Sequence, residues 1–554
     1  ADAALRKALS LDPHNQAALL GMAALRVKTY RHADAESVAR QALALDPNSA
    51  DACLLLGDAQ LGQRRVDDAV VSYQRALSLR PGSVSAYQKL GALLYENRDE
   101  AQLLALTRQM TVDAPSYVEA HSDLGRILLR AGRLAEAVDA FRASLKLRPG
   151  DLSTREGLLF CCNYMAQLPP RALFDEAVAY GKLASAQARP YRRWSASAAP
   201  ERLRVGLVSG DLRDHPVAFF LESVLAHSNR QRIEWFVYST TAEQDAVTAR
   251  LRGHVDQWQV LAGLSTEDRA RQIHADGVHV LVDLAGHSAL NALPVFAWRP
   301  APVQVSWLGY FATTGVKEID YLLADRMSVP DSDRGLFTES IWQLPQTRLC
   351  FTAPAAAPQP APPPAAANGC VTFGSFQALR KINDEVLAAW AEIVNGCAHA
   401  RLRVQNAELS TPAGRETFRQ RAIQAGIASS QLELAGLESR ERYLEQHAMV
   451  DILLDTFPFP GGTTTCEALW MGVPTVTLQG STLIGRQGAC LMSAAGLPDW
   501  IAHSRADYVA LALRKAADIE ALIALRSGLR EQLQRTPLFD AARFAQSLED
   551  AFWG

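Results

Sequence analysis

The chain has 554 residues, of which 48% are hydrophobic, 21% charged and 7% aromatic, a composition that fits several well-cored domains and excludes a largely disordered chain. Lys and Arg total 56 against 59 Asp and Glu, a formal net charge of −3, which supports neither a nucleic-acid partner nor a membrane surface. No uninterrupted apolar run is long enough to span a bilayer. The eight cysteines are scattered and never fall as C-x-x-C, so reduced thiols in a cytoplasmic protein are expected rather than a disulfide scaffold or zinc knuckle. The sequence begins at Ala1 rather than Met, and no charged-then-apolar leader comes after it.

The first 151 residues are periodic. Prolines at 13, 47, 81, 115 and 149 stand 34 residues apart. The same phase carries ALSLDP, ALALDP, ALSLRP and SLKLRP ending at Pro13, Pro47, Pro81 and Pro149, the pairs Leu56-Gly57, Leu90-Gly91 and Leu124-Gly125, and the small residues Ala18, Ala52, Ala86 and Ala120. Each unit reads as two short helices, with proline closing the second and Ala or Gly where helices cross closely. Tyr73 and Phe141 fill one bulky slot in their units. This resembles the tetratricopeptide repeat, with about four full units behind a half unit. Stacked pairs bury apolar stripes that one pair cannot, and they build a superhelix with a concave groove. The groove reads as a peptide-binding surface or as a scaffold or dimer surface. Residues 152–200 start helical and break at Pro169-Pro170, as a degenerate repeat or adaptor does. No Gly/Ser linker intervenes, so the superhelix is expected to run on without a flexible joint into the chain beyond residue 200.

From residue 201 the period changes. Short β-branched runs at 203–209, 236–239, 278–283, 303–307 and 321–324 alternate with helical stretches such as 266–275, which argues for a parallel α/β sheet over 201–352. Residues 353–369 hold six prolines and read as a surface linker. A second α/β region, 370–554, then shows strands at 371–376, 401–404, 432–434, 451–455 and 474–478, with helices at 383–394, 412–425 and 439–447 between them. That is a doubly wound order, in which ligands sit at the carboxyl ends of strands, and two such regions imply a cleft between lobes.

The stretch 455–474, DTFPFPGGTTTCEALWMGVP, is the most informative. A buried strand ends at Asp455, a proline-stiffened loop reaches Gly461-Gly462, and Thr463 and Thr464 open a helix. Glycines let backbone approach a ligand, and a helix start favours an anion such as phosphate. Glu467 lies one turn beyond Thr464, placed to accept from a sugar hydroxyl. The plain alternative is a helix cap after a turn. There is no G-x-x-x-x-G-K-[ST] and no good G-x-G-x-x-G, which disfavours a P-loop or Rossmann dinucleotide site. Asp331-Ser332-Asp333 is formally D-x-D, but its polar, Pro-preceded setting reads as a turn rather than a metal–nucleotide site.

The repeats, the two α/β regions and the Gly-Gly-Thr-Thr segment together resemble the O-linked N-acetylglucosamine transferases of glycosyltransferase family 41. Supporting stretches are RVGLVSGDLRDHP at 204–216, DGVHVLVD at 276–283, RPAPVQVSWLGY at 299–310, FQALRKI at 376–382 and DILLDT at 451–456. The resemblance implies an α-solenoid of repeats followed by a GT-B catalytic region of two Rossmann-like lobes. The activity it implies is inverting, metal-free transfer of GlcNAc from UDP-GlcNAc to Ser or Thr hydroxyls of proteins held by the repeat groove. The Ala/Arg/Leu-rich composition implies a bacterial member. A non-protein acceptor, or a repeat-based adaptor that binds UDP with little turnover, remains the alternative.

The resemblance also implies residue roles. Lys381 matches the lysine that reaches the diphosphate, and Gly462, Thr463 and Thr464 match the phosphate-donating run, with Gly462 where the family has His; Gly461 beside them is expected to bind the donor as well. Glu467 stands for a ribose-binding Asp. Glu438, Arg440 and Tyr443 match the segment that holds uracil and ribose, with Tyr443 where animal members have His. Ala378 replaces a donor-contacting Gln, for which Gln377 can substitute. His215 matches a histidine facing the sugar, either as general base or as a hydrogen-bonding loop residue. His279, Asp276 and a donor phosphate oxygen are rival bases. The position before each Leu-Gly pair holds Leu55, Lys89 and Asp123, so the asparagine ladder with which animal members grip peptide backbone is missing.

Overall fold

The computed structural model describes residues 1–96 and 100–554. It divides into two compact units, Ala1–Thr154 and Arg155–Gly554. No helix among the described residues is long and apolar enough to cross a membrane.

The first unit is helical throughout its described residues and repeats a helix pair. Its helices include Gln16–Lys28, His32–Leu45, Ala50–Gly62, Val66–Leu79, Val118–Arg130 and Leu134–Leu147. Asn15 and Ser49 cap equivalent helices by accepting from the amides of Ala18 and Ala52. The period has a packing cause. A Cβ on Gly57 would lie 2.5 Å from the Tyr73 ring, and one on Gly125 would lie 2.6 Å from the Phe141 ring. Each glycine is the floor on which the next helix seats its aromatic. The third member of the series is relaxed: the slot is Thr107, and the nearest atom to a Cβ on Gly91 is 3.9 Å away.

The second unit holds two parallel sheets. The first runs β1 Leu203–Ser209, β2 Ile233–Ser239, β3 Gln257–Val260, β4 Val280–Asp283, β5 Val303–Ser306, β6 Tyr321–Ala324 and β7 Ser340–Gln343, in the order β3-β2-β1-β4-β5-β6-β7. The second runs β8 Thr372–Ser375, β9 Arg401–Gln405, β10 Leu432–Ala435, β11 Ile452–Leu454, β12 Thr475–Leu478 and β13 Ile501–Ala502, in the order β10-β9-β8-β11-β12-β13. Every strand pair is parallel. The strand order reverses beside β1 in one sheet and beside β8 in the other, and each reversal opens a crevice at the carboxyl edge. This is the GT-B arrangement.

Two boundaries differ from the sequence reading. The Pro/Ala stretch is packed rather than free on the surface: Ala365 is buried, its amide donates to Asp451 at 3.0 Å, and the Pro358 carbonyl accepts from Arg530 at 2.7 Å. The last helix, Ala541–Trp553, returns to the first lobe. Glu549 accepts from Ser228 and from the Asn229 amide and pairs with Arg232, while Phe544 stacks on Trp307 with centroids 6.0 Å apart. A domain drawn as residues 370–554 therefore includes a helix whose apolar face completes the other lobe's core.

Candidate active site

Both crevices carry the residues that the sequence singles out. In the second lobe, β11 delivers Asp455, which is 1% exposed. Its Oδ1 accepts from the Gly461 amide at 2.7 Å and the Thr456 amide at 3.0 Å, and Oδ2 accepts from Thr477 at 2.8 Å. One buried carboxylate thus folds the whole proline loop back onto the strand end. Burial pushes its pKa up, while these donors and Lys381 pull it down. Gln487 holds the Gly461 carbonyl at 3.1 Å and Asn383 holds the Phe457 carbonyl at 2.8 Å. A Cβ on Gly461 would fall 2.3 Å from Thr465 Oγ1 and 2.4 Å from Gln377 Nε2, so the loop closes only with glycine there.

The helix Thr463–Trp470 opens without a side-chain cap. The first-turn amides of a helix have no intrahelical acceptor, and here the hydroxyls of Thr463 and Thr464 stand beside them, half-buried. Gln377 donates to Thr464 Oγ1 at 2.8 Å. Lys381, on the turn after β8, places Nζ 3.0 Å from the Pro460 carbonyl, 3.2 Å from Gln377 Oε1 and 4.5 Å from the centre of the Phe459 ring. Burial pushes its amine down to about 7, with Arg380 acting the same way and Asp455 against. A desolvated amine joined through Gln377 to an uncapped helix start is suited to an anion with several oxygens, whose charge would hold the amine protonated.

Glu467, 2% exposed, pairs with Arg440 at 2.7 Å. Burial raises its pKa, Arg440 and Tyr443 lower it, and Asp214 of the first lobe raises it further. Arg440 lies 4.2 Å from the Phe219 ring of the first lobe, so this pair sits where the lobes meet. Tyr443 packs edge-on against Phe376 and His447 inside its own lobe, and Glu438 is exposed. Gln377, Lys381, Arg440, Gly461, Gly462, Thr463, Thr464 and Glu467 therefore gather on one carboxyl edge. Tyr443 backs that edge and Glu438 lies out from it.

In the first lobe His215 follows β1 and caps the helix Pro216–His227. Its turn is fixed by Asp245, which accepts from the Asp214 amide, and by Thr248, which donates to the Leu212 carbonyl. Nδ1 accepts from the Val217 amide at 3.3 Å, and Nε2 is 3.7 Å from Asp211. Burial lowers its basicity against the pull of Asp211. The ring is thus neutral near pH 7 with its proton on Nε2, aimed as a donor. So held, the ring presents an Nε2–H donor, and only the other tautomer, protonated at Nδ1, leaves Nε2 free to accept a proton.

His279 is a correction. It sits at the amino end of β4, its Nδ1 accepting from the Arg204 amide at 2.9 Å and its own amide donating to the Arg204 carbonyl at 2.8 Å. Arg204 is at the start of β1 and His215 lies beyond that strand's end, so the sheet separates the two histidines by its full length. Asp276, bonded to Tyr238 and Gln259, precedes β4 on the same far edge. The histidine that does follow the carboxyl end of β4 is His287, buried against Tyr180 and Tyr310, with Nε2 at the Thr314 carbonyl, and held neutral by burial. The D-x-D stretch forms a single 3-10 segment, Asp331–Leu336, in which Asp331 pairs with Arg334 and Asp333 with Arg486 of the second lobe at 2.6 Å. Sequence reasoning missed the anchoring role of Asp455 and the aromatic Phe459. A carboxylate at the end of a buried apolar strand was the available signal for the first.

The profile described as glycosyl transferase family 41 matches residues 177–351 and 365–548, and tetratricopeptide-repeat profiles match 26–94 and 96–151. A tomato (Solanum lycopersicum) protein named probable UDP-N-acetylglucosamine–peptide N-acetylglucosaminyltransferase SPINDLY is 36% identical over 414 residues, covering 74% of this chain and 44% of its own length. The Caenorhabditis elegans UDP-N-acetylglucosamine–peptide N-acetylglucosaminyltransferase is 22% identical, covering 63% of this chain and 40% of its own. The chain therefore spans less than half the length of these curated relatives. Among solved structures, a Thermobaculum terrenum O-GlcNAc transferase mutant superposes with a TM-score of 0.80 at 33% identity, covering 91% of this chain and 96% of that one. With the repeats, the paired parallel sheets and the Gly-Gly-Thr-Thr corner already in place, the match over most of the second unit shows that this chain belongs to glycosyltransferase family 41.

Proposed function

We propose that the protein transfers GlcNAc from UDP-GlcNAc to Ser or Thr hydroxyls of polypeptides, with inversion and without a metal. The observation that carries the reading is the desolvated Lys381 amine joined through Gln377 to the uncapped helix at Thr463. Departure of UDP breaks the bond from the anomeric carbon to the phosphate oxygen and leaves negative charge there. Lys381 and the first-turn amides meet that charge where a metal would otherwise stand. The acceptor hydroxyl forms the new bond to the anomeric carbon. Its proton goes to His215 Nε2 in the tautomer protonated at Nδ1, or to a departing phosphate oxygen. Glu467, oriented by Arg440, takes the ribose hydroxyls.

The repeat groove is proposed to hold acceptor segments. Two of the three positions before the Leu-Gly pairs are engaged in charge pairs, Lys89 with Asp58 at 2.8 Å and Asp123 with Arg126 at 2.8 Å, and the third is Leu55, so recognition there runs through mixed charge and apolar contact rather than amide side chains. Ala378, Gly462, Tyr443 and Glu467 depart from the animal pattern on the donor side, which makes donor identity the quantity to measure. Calorimetric titration of UDP in chelator should show binding that magnesium does not improve; dependence on magnesium overturns the metal-free reading. A turnover panel of nucleotide sugars should favour UDP-GlcNAc, and faster use of another base or sugar replaces that donor. Removing residues 1–115 should spare UDP binding and depress transfer to protein acceptors more than hydrolysis of the donor. Equal loss of both argues against the groove as acceptor site.

A further inference from the structure

We propose that Tyr164, in the adaptor segment, is a positioning residue for the phosphate corner, holding Lys381 in place through Phe459. The adaptor touches both lobes in two consecutive residues. Asn163 donates to the Tyr310 hydroxyl of the first lobe at 3.0 Å. Tyr164 accepts at its hydroxyl from Arg380 Nε of the second lobe at 3.0 Å, and its ring stacks on Phe459 with centroids 4.3 Å apart and planes 18° apart. Phe311 of the first lobe meets Phe459 edge-on at 4.8 Å. Tyr164 stacks on Phe459, and the Lys381 amine lies over the same ring, 4.5 Å from its centre. The result is a column, Tyr164–Phe459–Lys381, clamped at its side by Arg380, the immediate neighbour of the lysine.

Each link has a physical reason. Stacked rings gain more than their buried area alone, and an ammonium over an aromatic face is held while being stripped of water. Tyr164 is 3% exposed and Phe459 6%, so neither ring has room to tilt while the column stands. The charged groups around the amine are Asp455 at the end of β11, which favours the cation, and Arg380, which disfavours it; Glu408 acts on Arg380 in turn. Burial raises the Tyr164 phenol, so it stays neutral and acts by packing and by its hydrogen bond.

The proposal rests on Lys381 serving the diphosphate, and its test separates the two. In the nucleotide-free 554-residue chain, the pH dependence of acylation of the Lys381 amine is followed by peptide mass spectrometry. The wild type should titrate near 7. Tyr164→Leu should open the ring, hydrate the amine and move that midpoint up by about one pH unit, equivalent to tenfold in proton affinity. Tyr164→Phe, which keeps the stack, should stay near the wild type. Phe459→Leu attacks the column from its centre: losing the ring–ammonium attraction lowers the midpoint, water reaching the amine raises it, and hydration should win and reproduce the upward shift if Tyr164→Leu fails to fold. UDP affinity, measured on the same proteins, should fall about tenfold with Tyr164→Leu. A folded Tyr164→Leu or Phe459→Leu protein whose Lys381 midpoint is unmoved overturns the positioning role. A midpoint that moves as expected, in a wild type that binds no UDP, keeps the positioning role and overturns the functional reading instead.

Discussion

Lys381 and Asp455 show how little of a residue's chemistry its name decides. An isolated lysine is a solvated cation; here a carbonyl, an amide oxygen and an aromatic face replace the water, and burial brings the amine down to about 7. Replacing it with alanine should leave the melting transition intact and lower transfer by about 10²–10³, the roughly 2–4 kcal/mol expected for losing a contact that strengthens as charge develops; turnover near that of the wild type would sink the assignment. His447 carries a different prediction. It is fully buried, donates toward the carbonyls of Tyr443 and Leu444, and is pushed down to about 4. Its folded value lies below the unfolded one near 6.5, so the unfolded chain takes up the proton first and stability is lost as pH falls below that value. His447→Asn keeps a donor but cannot titrate. The stability advantage of wild type over this variant, read by denaturant unfolding, should shrink by about 2 kcal/mol between pH 7 and 5. A constant difference would mean that His447 takes up its proton in the folded state as readily as in the unfolded chain.

Elements are legible in the sequence where their pattern is strong. The 34-residue proline phase marks the ends of the helices that form, and the seat of Tyr73 on Gly57 and of Phe141 on Gly125 explains why glycine keeps that phase. The series allows a paired test. Gly125→Ala forces a methyl into the Phe141 ring and should cost about 1–3 kcal/mol by overpacking. Gly91→Ala meets nothing closer than 3.9 Å and should be neutral or gain up to about 1 kcal/mol of helix propensity. Thermal melts of the two variants that moved equally would show that the glycine is kept for the helix itself rather than for the ring. The strands without a clear sequence signal are β3, β7 and β13, short and at the margins of their sheets. An edge strand is covered on fewer sides, so its sequence lacks the continuous apolar run that marks β1 or β4.

At the scale of the whole second unit, Arg155–Gly554, chain order and spatial order part company. The C-terminal helix Ala541–Trp553 closes the first lobe, and the adaptor's Asn163 and Tyr164 reach one lobe each. Phe544, 5% exposed and stacked on Trp307, should therefore report on the wrong lobe by sequence. Phe544→Ala is expected to cost about 3–5 kcal/mol and to raise hydrogen exchange in the helix Pro216–His227 more than in the helix Asp384–Gly396 of its own region. Loosening confined to the second lobe would contradict the return of this helix.

The sequence by itself determined the repeats, the paired α/β regions and the Gly-Gly-Thr-Thr corner, because these depend on local spacing: a period of 34, alternation of strand and helix, a glycine run before a helix start. Only the tertiary structure decided what each histidine is tied to. The sequence places His215 after a strand and His279 at the start of one, and carboxyl ends face ligands, but it does not name the partners that hold either ring. The answer comes from the parallel pairing of β1 with β4, which leaves His279 tied to Arg204 at the far end. The same holds for Phe459 and Tyr164, separated in sequence by the whole first lobe. A contact between residues so distant is fixed by how sheets and helices close on one another, and no local pattern encodes it.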